Sequence, residues 1–197
     1  MRHMLSLSVM IMVSGCAAGP LNETGTFLPP RHYQAMETAK LCCASYGDIH
    51  YAQLQRGTET KTVISPDSPV FEFDGRRSFF AAFELPAGSN RIFMVTTVPV
   101  NMLWNRAGHV MVPAVQFLDD SYKQIEFVQP RYEPDSRFPR GSWAEAQVRV
   151  PNAARYAILL EGRNVDGIAW RDRDQPSGSL FVRSGPTGNV SVLLLGG

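Results

Sequence analysis

The chain has 197 residues, 44% of them hydrophobic, and a formal net charge of +1. That is long enough for a substantial core, and too balanced in charge for general nucleic-acid binding, which depends on neutralising phosphates. Arg supplies most of the positive charge, with Lys only at Lys40, Lys61 and Lys123, and no stretch of roughly 20 apolar residues is present to cross a membrane as a helix.

The N-terminus carries the most specific signal. Arg2 precedes an apolar stretch from Met4 to Val13, followed by Ser14, Gly15 and Cys16. A charged start, a short apolar run and small residues form the layout of a secretory signal peptide. A Cys directly after Ser-Gly is the pattern of a bacterial lipoprotein signal. Residues 1–15 are then expected to be removed, and Cys16 to carry lipid, palmitate included. That address predicts a protein held to a membrane by its lipid and facing the periplasm. Ala17, where Asp would mark inner-membrane retention, favours the outer membrane. Loss of residues 1–15 removes Arg2 and no acid, so the mature chain is neutral. Residues 16–30 are small, polar and Pro-containing and read as a flexible tether. Residues 31–197 are expected to form the folded domain.

Residues 31–44 predict a helix, with Tyr33, Met36 and Cys43 near one face and Glu37 spaced to pair with Lys40. Gly47 should break it, and Asp48 should cap a short second turn through Leu54. With Cys16 lipidated, Cys42 and Cys43 have only each other. They either close a vicinal disulfide or remain two buried thiols. Without CxxC spacing, a disulfide there reads as a structural clip. From about residue 61 the period becomes two. Val70 to Phe73, Asp74-Gly75, and Ser78 to Leu85 predict a hairpin, with Phe79, Ala81, Phe83 and Leu85 on one face.

Arg91 to Val98 follows as a strand that places Ile92, Met94, Thr96 and Val98 together. His109 to Leu118 is interrupted by Pro113, which predicts an edge strand or a bulge. Asp119 to Ser121 turns the chain into Tyr122 to Val128. Residues 129–142 read as a loop, 144–150 and 155–161 as strands, and 162–178 as a long polar loop around Trp170. Strands at 180–183 and 189–195 close the chain. This spacing predicts a mainly β fold: an antiparallel β-sandwich, jelly-roll-like, preceded by a short N-terminal helix.

The chain has no HExxH, no Cys/His ligand spacing, no GxSxG elbow and no phosphate-binding Gly loop. No catalytic residue, metal or cofactor is therefore assigned. Asn164, Asp166, Asp172 and Asp174 crowd one segment, but Pro176 and Ser177 break the EF-hand pattern, and Arg171 and Arg173 interleave the acids. A solvated, ion-paired loop is the simpler reading. Sugar sites combine an aromatic ring with flanking polar groups. Trp104-Asn105-Arg106 and Trp170-Arg171-Asp172 have that composition, with Tyr132 and Trp143 as lesser candidates. The same tryptophans also suit core caps or a protein-docking patch.

Five stretches taken together carry a family likeness: LCCASYGDIHYAQL (41–54), SPVFEFDGRRSFFAAFELPAG (68–88), VPAVQFLDDSYKQ (112–124), ARYAILLEG (154–162) and PTGNVSVLLL (186–195). In content and order they resemble the maltose operon periplasmic protein (MalM) family. The resemblance implies an exported, non-catalytic accessory protein linked to carbohydrate transport or binding, and brings no catalytic motif with it. The Pro/Ala-rich stretch and helical C-terminal region of some maltose-operon members have no counterpart here. The expected partners are thus the membrane, through the lipid, and either a saccharide or an envelope protein complex. A structural or assembly lipoprotein is the alternative, and a hydrolase the less favoured one.

Overall fold

The computed structural model describes residues 30–100, 108–136, 142–171 and 179–196. Its one α-helix, α1, runs Pro30–Thr38. Pro30 suits the first helical turn, where its missing N–H costs nothing. The helix ends well before the expected residue 44. Leu41 instead bridges to Val70, the Cys42 N–H donates to the Val70 carbonyl at 2.8 Å, and Cys42 and Cys43 are joined in a disulfide. Side chains of adjacent residues diverge around a helix, so a bonded pair cannot sit within one. The expected second turn through Leu54 is also shorter, a single 3₁₀ turn at Tyr46–Asp48. The Asp48 carboxylate closes it by accepting from the Ser45 N–H and hydroxyl, both at 2.9 Å.

The strands are β1 (Ala52–Gln53), β2 (Thr60–Ile64), β3 (Val70–Phe73), β4 (Arg76–Glu84), β5 (Ile92–Val98), β6 (His109–Val110), β7 (Pro113–Leu118), β8 (Gln124–Val128), β9 (Glu133–Ser136), β10 (Ser142–Arg149), β11 (Tyr156–Glu161), β12 (Gly167–Arg171), β13 (Ser179–Ser184) and β14 (Gly188–Leu195). The protein is mainly β, and its pairings are antiparallel except β1 on β4 and β6 on β13. A first sheet is ordered β1-β4-β11-β7-β8, with β3 also on β4. A second is ordered β2-β14-β5-β10-β9, and a third β12-β13-β6. The hairpin of β3 and β4 turns on Asp74 and Gly75, with φ of 50° and 77°. Both residues of a type I′ turn need positive φ, which Asp tolerates and Gly adopts freely.

Three of the expected boundaries move. Pro113 does not mark an edge, because β7 lies between β11 and β8. Pro113 opens the strand, where no ladder N–H is required of it. Residues 129–142 are not all loop, since β9 pairs with β10 and carries Pro134 on the sheet edge. Residues 162–178 are not one loop either, since β12 pairs with β13 along its whole length.

The first and second sheets share a core. Phe93 of β5 packs against Phe83 of β4 and Phe117 of β7, with ring centroids 6.4 and 6.3 Å apart. The buried face of β5 is Phe93, Val95 and Thr97, so the predicted grouping of Ile92, Met94, Thr96 and Val98 faces outward. The first sheet also has a covered second face. There Phe71, Phe73, Phe80, Ala82, Leu118, Ile158 and Leu160 pack beneath Ile49, Tyr46 and Tyr51. Every residue of β7 is consequently buried.

Candidate functional site: a polar groove across β9 and β10

The second sheet presents its other face outward along β10, and the alternation there is strict. Ala144, Ala146 and Val148 enter the core, while Trp143, Glu145 and Gln147 point the other way. In an antiparallel strand this places polar and aromatic groups side by side on one surface. β9 adds Glu133 directly opposite Glu145. Together with Arg131, Pro134 and the backbone at Ala146, these residues line a groove of about 580 Å³. The Gln147 amide donates to Glu145 Oε1 at 3.3 Å, which orients both groups along the groove.

Two hydrogen bonds hold the frame. Trp170 of β12 donates its indole N–H to the Trp143 carbonyl at 3.1 Å. Tyr132, at the entry to β9, donates its hydroxyl to the Pro113 carbonyl at 3.0 Å. Burial pushes that phenol well above its ordinary pKa, so it stays a neutral donor. The groove therefore offers a half-buried indole, two carboxylates as acceptors, and an amide and a guanidinium as donors. Among the described residues that line it there is no Ser, Cys or His. Such a set of groups can stack on and hydrogen-bond to a polar ligand.

The residues singled out from sequence are redistributed. Trp170 is 2% exposed and belongs to the main core, so it cannot stack on a sugar. The surrounding polar composition concealed the alternation of Ile168 and Trp170 inward with Ala169 outward. Arg171 ends β12, while Asp172, Trp104, Asn105, Arg106 and Cys16 lie outside the described residues. Asp174 does too. Asp166 is exposed, and its backbone carbonyl accepts the Ser184 N–H at 2.9 Å. Among the described residues no three His, Cys, Asp or Glu side chains are grouped to hold a metal ion. Trp143 is the aromatic residue that moves forward, from a lesser candidate to the ring at the groove.

A second polar cluster lies under α1, and sequence reasoning missed it because its members are far apart in the chain. Tyr33 donates to the Glu161 carboxylate. Burial raises the Glu161 pKa, opposed by the Tyr33 hydrogen bond and the charge of Arg76. Burial, then the charge of Glu161, raises the Tyr33 phenol. His32 and His109 both meet the Thr187 hydroxyl. The cavity beside Glu161, lined also by Arg76, Ser78 and Arg163, holds only about 10 Å³. That is room for about one water, so a substrate is excluded from it. No protein-family model, curated protein or solved structure matches this chain.

Proposed function

We propose that this chain is a lipid-anchored, non-catalytic periplasmic protein that binds a saccharide through the groove across β9 and β10. Cys16 is its anchor, the outer membrane its address, and carbohydrate uptake the process it serves. The observation that carries the binding reading is the Trp143 groove. It combines an aromatic ring with carboxylate, amide and guanidinium groups in about 580 Å³, within the usual range of small-molecule sites. The signal pattern at Cys16 supports the anchor, and the resemblance to the maltose operon family supports the link to carbohydrate. For the fold we infer a β-sandwich, supported by Phe83, Phe93 and Phe117 meeting between the first and second sheets.

The test is a calorimetric titration of the soluble domain with a panel of maltooligosaccharides and other envelope glycans. Binding by the wild type, with at least a tenfold loss in Trp143→Ala, is the expected result. Absence of binding across the panel sinks the saccharide reading. Labelling with palmitate tests the anchor separately: Cys16→Ser should lose the label, and equal labelling would refute it.

A second reading, docking to an envelope protein complex, is favoured by one observation. Val63 is 66% exposed, and it lines up across Asn189 with Val98, also exposed, on the second sheet. Cross-linking in cells that traps one envelope protein, with no glycan bound, would decide for this reading.

A further inference from the structure

α1 is seated by Met36 in the core and by polar contacts on both sides of it. The most specific of these is a bridge of three side chains. His32 Nδ1 lies 2.8 Å from Thr187 Oγ1, and His109 Nε2 lies 2.9 Å from the same oxygen. The two imidazole rings meet edge-on with centroids 5.4 Å apart. Thr187 and His109 are buried. The His109 ring also packs closely on Gly185, where a Cβ would stand 2.7 Å from its Cδ2.

A hydroxyl carries one proton. Its oxygen can accept from either nitrogen, but its own proton is satisfied within the bridge only when one facing nitrogen keeps its lone pair. With both rings protonated, both nitrogens become donors. The Thr187 proton then loses its acceptor, and two cations stand close together in a poorly solvated place. The bridge is weakest when both rings are imidazolium. We propose that this His–Thr–His bridge is an acid-sensitive latch, which holds α1 on the domain at neutral pH and releases its N-terminal half on mild acidification.

Among the described residues, charged and titratable groups lie around the bridge and along α1. α1 brings His32 and Tyr33, β6 brings His109, β11 brings Glu161, and β4 brings Arg76 and Arg77. Arg183 of β13 lies opposite His109 in register. Burial, then the charge of His32, lowers the His109 pKa, and the Thr187 backbone partly opposes this. A depressed His pKa means the docked state prefers the neutral ring. Docking is then at full strength above the ordinary His value of about 6.5 and weakens as pH falls below it. Glu161 works the other way, because its raised pKa favours the docked state once the carboxyl is protonated. Arg77 donates to the carbonyls of Met36 and Glu37 at the far end of α1 and does not titrate in this range. Release therefore begins at the N-terminal turn.

On the lipid-anchor reading, the freed segment lengthens the tether that joins α1 at Pro30. The nine residues of α1 span about 14 Å as a helix and about 30 Å extended.

Hydrogen exchange of the α1 amides at residues 34–38, normalised to β11 and to intrinsic rates, tests the latch between pH 7.5 and 5.5. It is best read in Glu161→Gln, which keeps a partner for Tyr33 and removes the opposing titration. The expected result is a loss of protection of about tenfold, one proton's worth per pH unit. His32→Asn, whose amide sits where Nδ1 was, removes one of the two cations and should then shrink that loss. Constant protection in Glu161→Gln, or an unchanged loss after His32→Asn is added, overturns the proposal. If Glu161→Gln does not fold, the wild type is compared with His32→Asn, and an identical pH response in the two overturns the proposal.

Discussion

Arg91→Ala should be among the most destabilising single substitutions in this protein. Arg91 is 1% exposed at the start of the segment leading into β5. Its Nη1 donates to the Pro86 carbonyl at 2.9 Å. Its Nη2 donates to the carbonyls of Pro151, Asn152 and Ala154 at 3.1, 3.3 and 2.8 Å. One guanidinium thus ties the turn after β4 to the turn before β11. Burial, with the nearby charges of Arg56 and Arg155, lowers its pKa, yet an arginine remains charged. Nη2 shares its two N–H groups among three carbonyls, so the four contacts amount to about three full bonds. At about 1.5–3 kcal/mol for each bond from a charged donor, they are worth about 4.5–9 kcal/mol gross. Desolvation of the guanidinium cancels several of these, and the unpartnered Nε adds to that cost. The net loss in Arg91→Ala should be about 3–5 kcal/mol. For a chain of this size that lowers Tm by about 6–20 °C, at roughly 2–4 °C per kcal/mol. Thermal and urea unfolding followed by circular dichroism measure it. A cost below about 1 kcal/mol would refute the reasoning. Arg91→Met separates the causes, because it restores the apolar stem but none of the donors. If Met alone recovers wild-type stability, packing and not the carbonyl contacts holds the two turns.

Other expectations are simpler. Gly167→Ala should cost about 3 kcal/mol, since Gly167 has φ of 151° and a Cβ there would stand 2.1 Å from the Val182 carbonyl oxygen; a melt within 2 °C of wild type would show that β12 can shift to make room. Trp170→Phe keeps the buried ring and removes the donor to Trp143, so it should cost about 1 kcal/mol and weaken glycan binding less than Trp143→Ala does. Equal losses of binding in the two would mean that the groove depends on its frame and not on the Trp143 ring. The Asp119 carboxyl should titrate below the ordinary Asp value, held there by the Ser121 hydroxyl and then the Lys123 N–H. Its contribution is present above the unfolded pKa and lost as pH falls through the lowered one; a carbon-detected NMR midpoint at the ordinary value would contradict the turn geometry.

What the sequence revealed depended on whether the relevant physics is local. The Asp74-Gly75 turn was legible because its backbone requirement falls on the two residues named. The mainly β character was legible from alternation in β4, β5 and β14. Other strands were misread because composition outweighed period. β9 holds Pro134 and charged neighbours, which an edge strand tolerates but a linear reading takes for loop. β12 places Ile168 and Trp170 inward between polar flanks, so its two informative positions were outnumbered. Among site residues, the alternation of Trp143, Glu145 and Gln147 was present in the linear pattern. Its pairing with Glu133 was not, because it needs the chain to return through residues 137–141. The latch had no local signal at all. His32 and His109 lie 155 and 78 residues from the Thr187 they share.

The placement of the groove follows from which sheet faces are covered. The outer face of the first sheet is sealed by Ile49, Tyr46 and Tyr51 over a bed of Phe and Leu. Its strands accordingly lose alternation, and β7 reads Pro-Ala-Val-Gln-Phe-Leu with every residue buried. Apart from the buried Gln116 amide and the covering tyrosines, such a face is apolar. The second sheet keeps alternation in β5, β10 and β14, which is the mark of a face left open to solvent. Glu133, Glu145, Gln147 and Trp143 can be arranged there without burying a charge. A site on paired strands is also held more rigidly than one on loops, because each side chain is fixed by the ladder beneath it. That argues for binding with little rearrangement. The structural response to conditions then falls to α1, whose seat depends on a few hydrogen bonds rather than on a ladder.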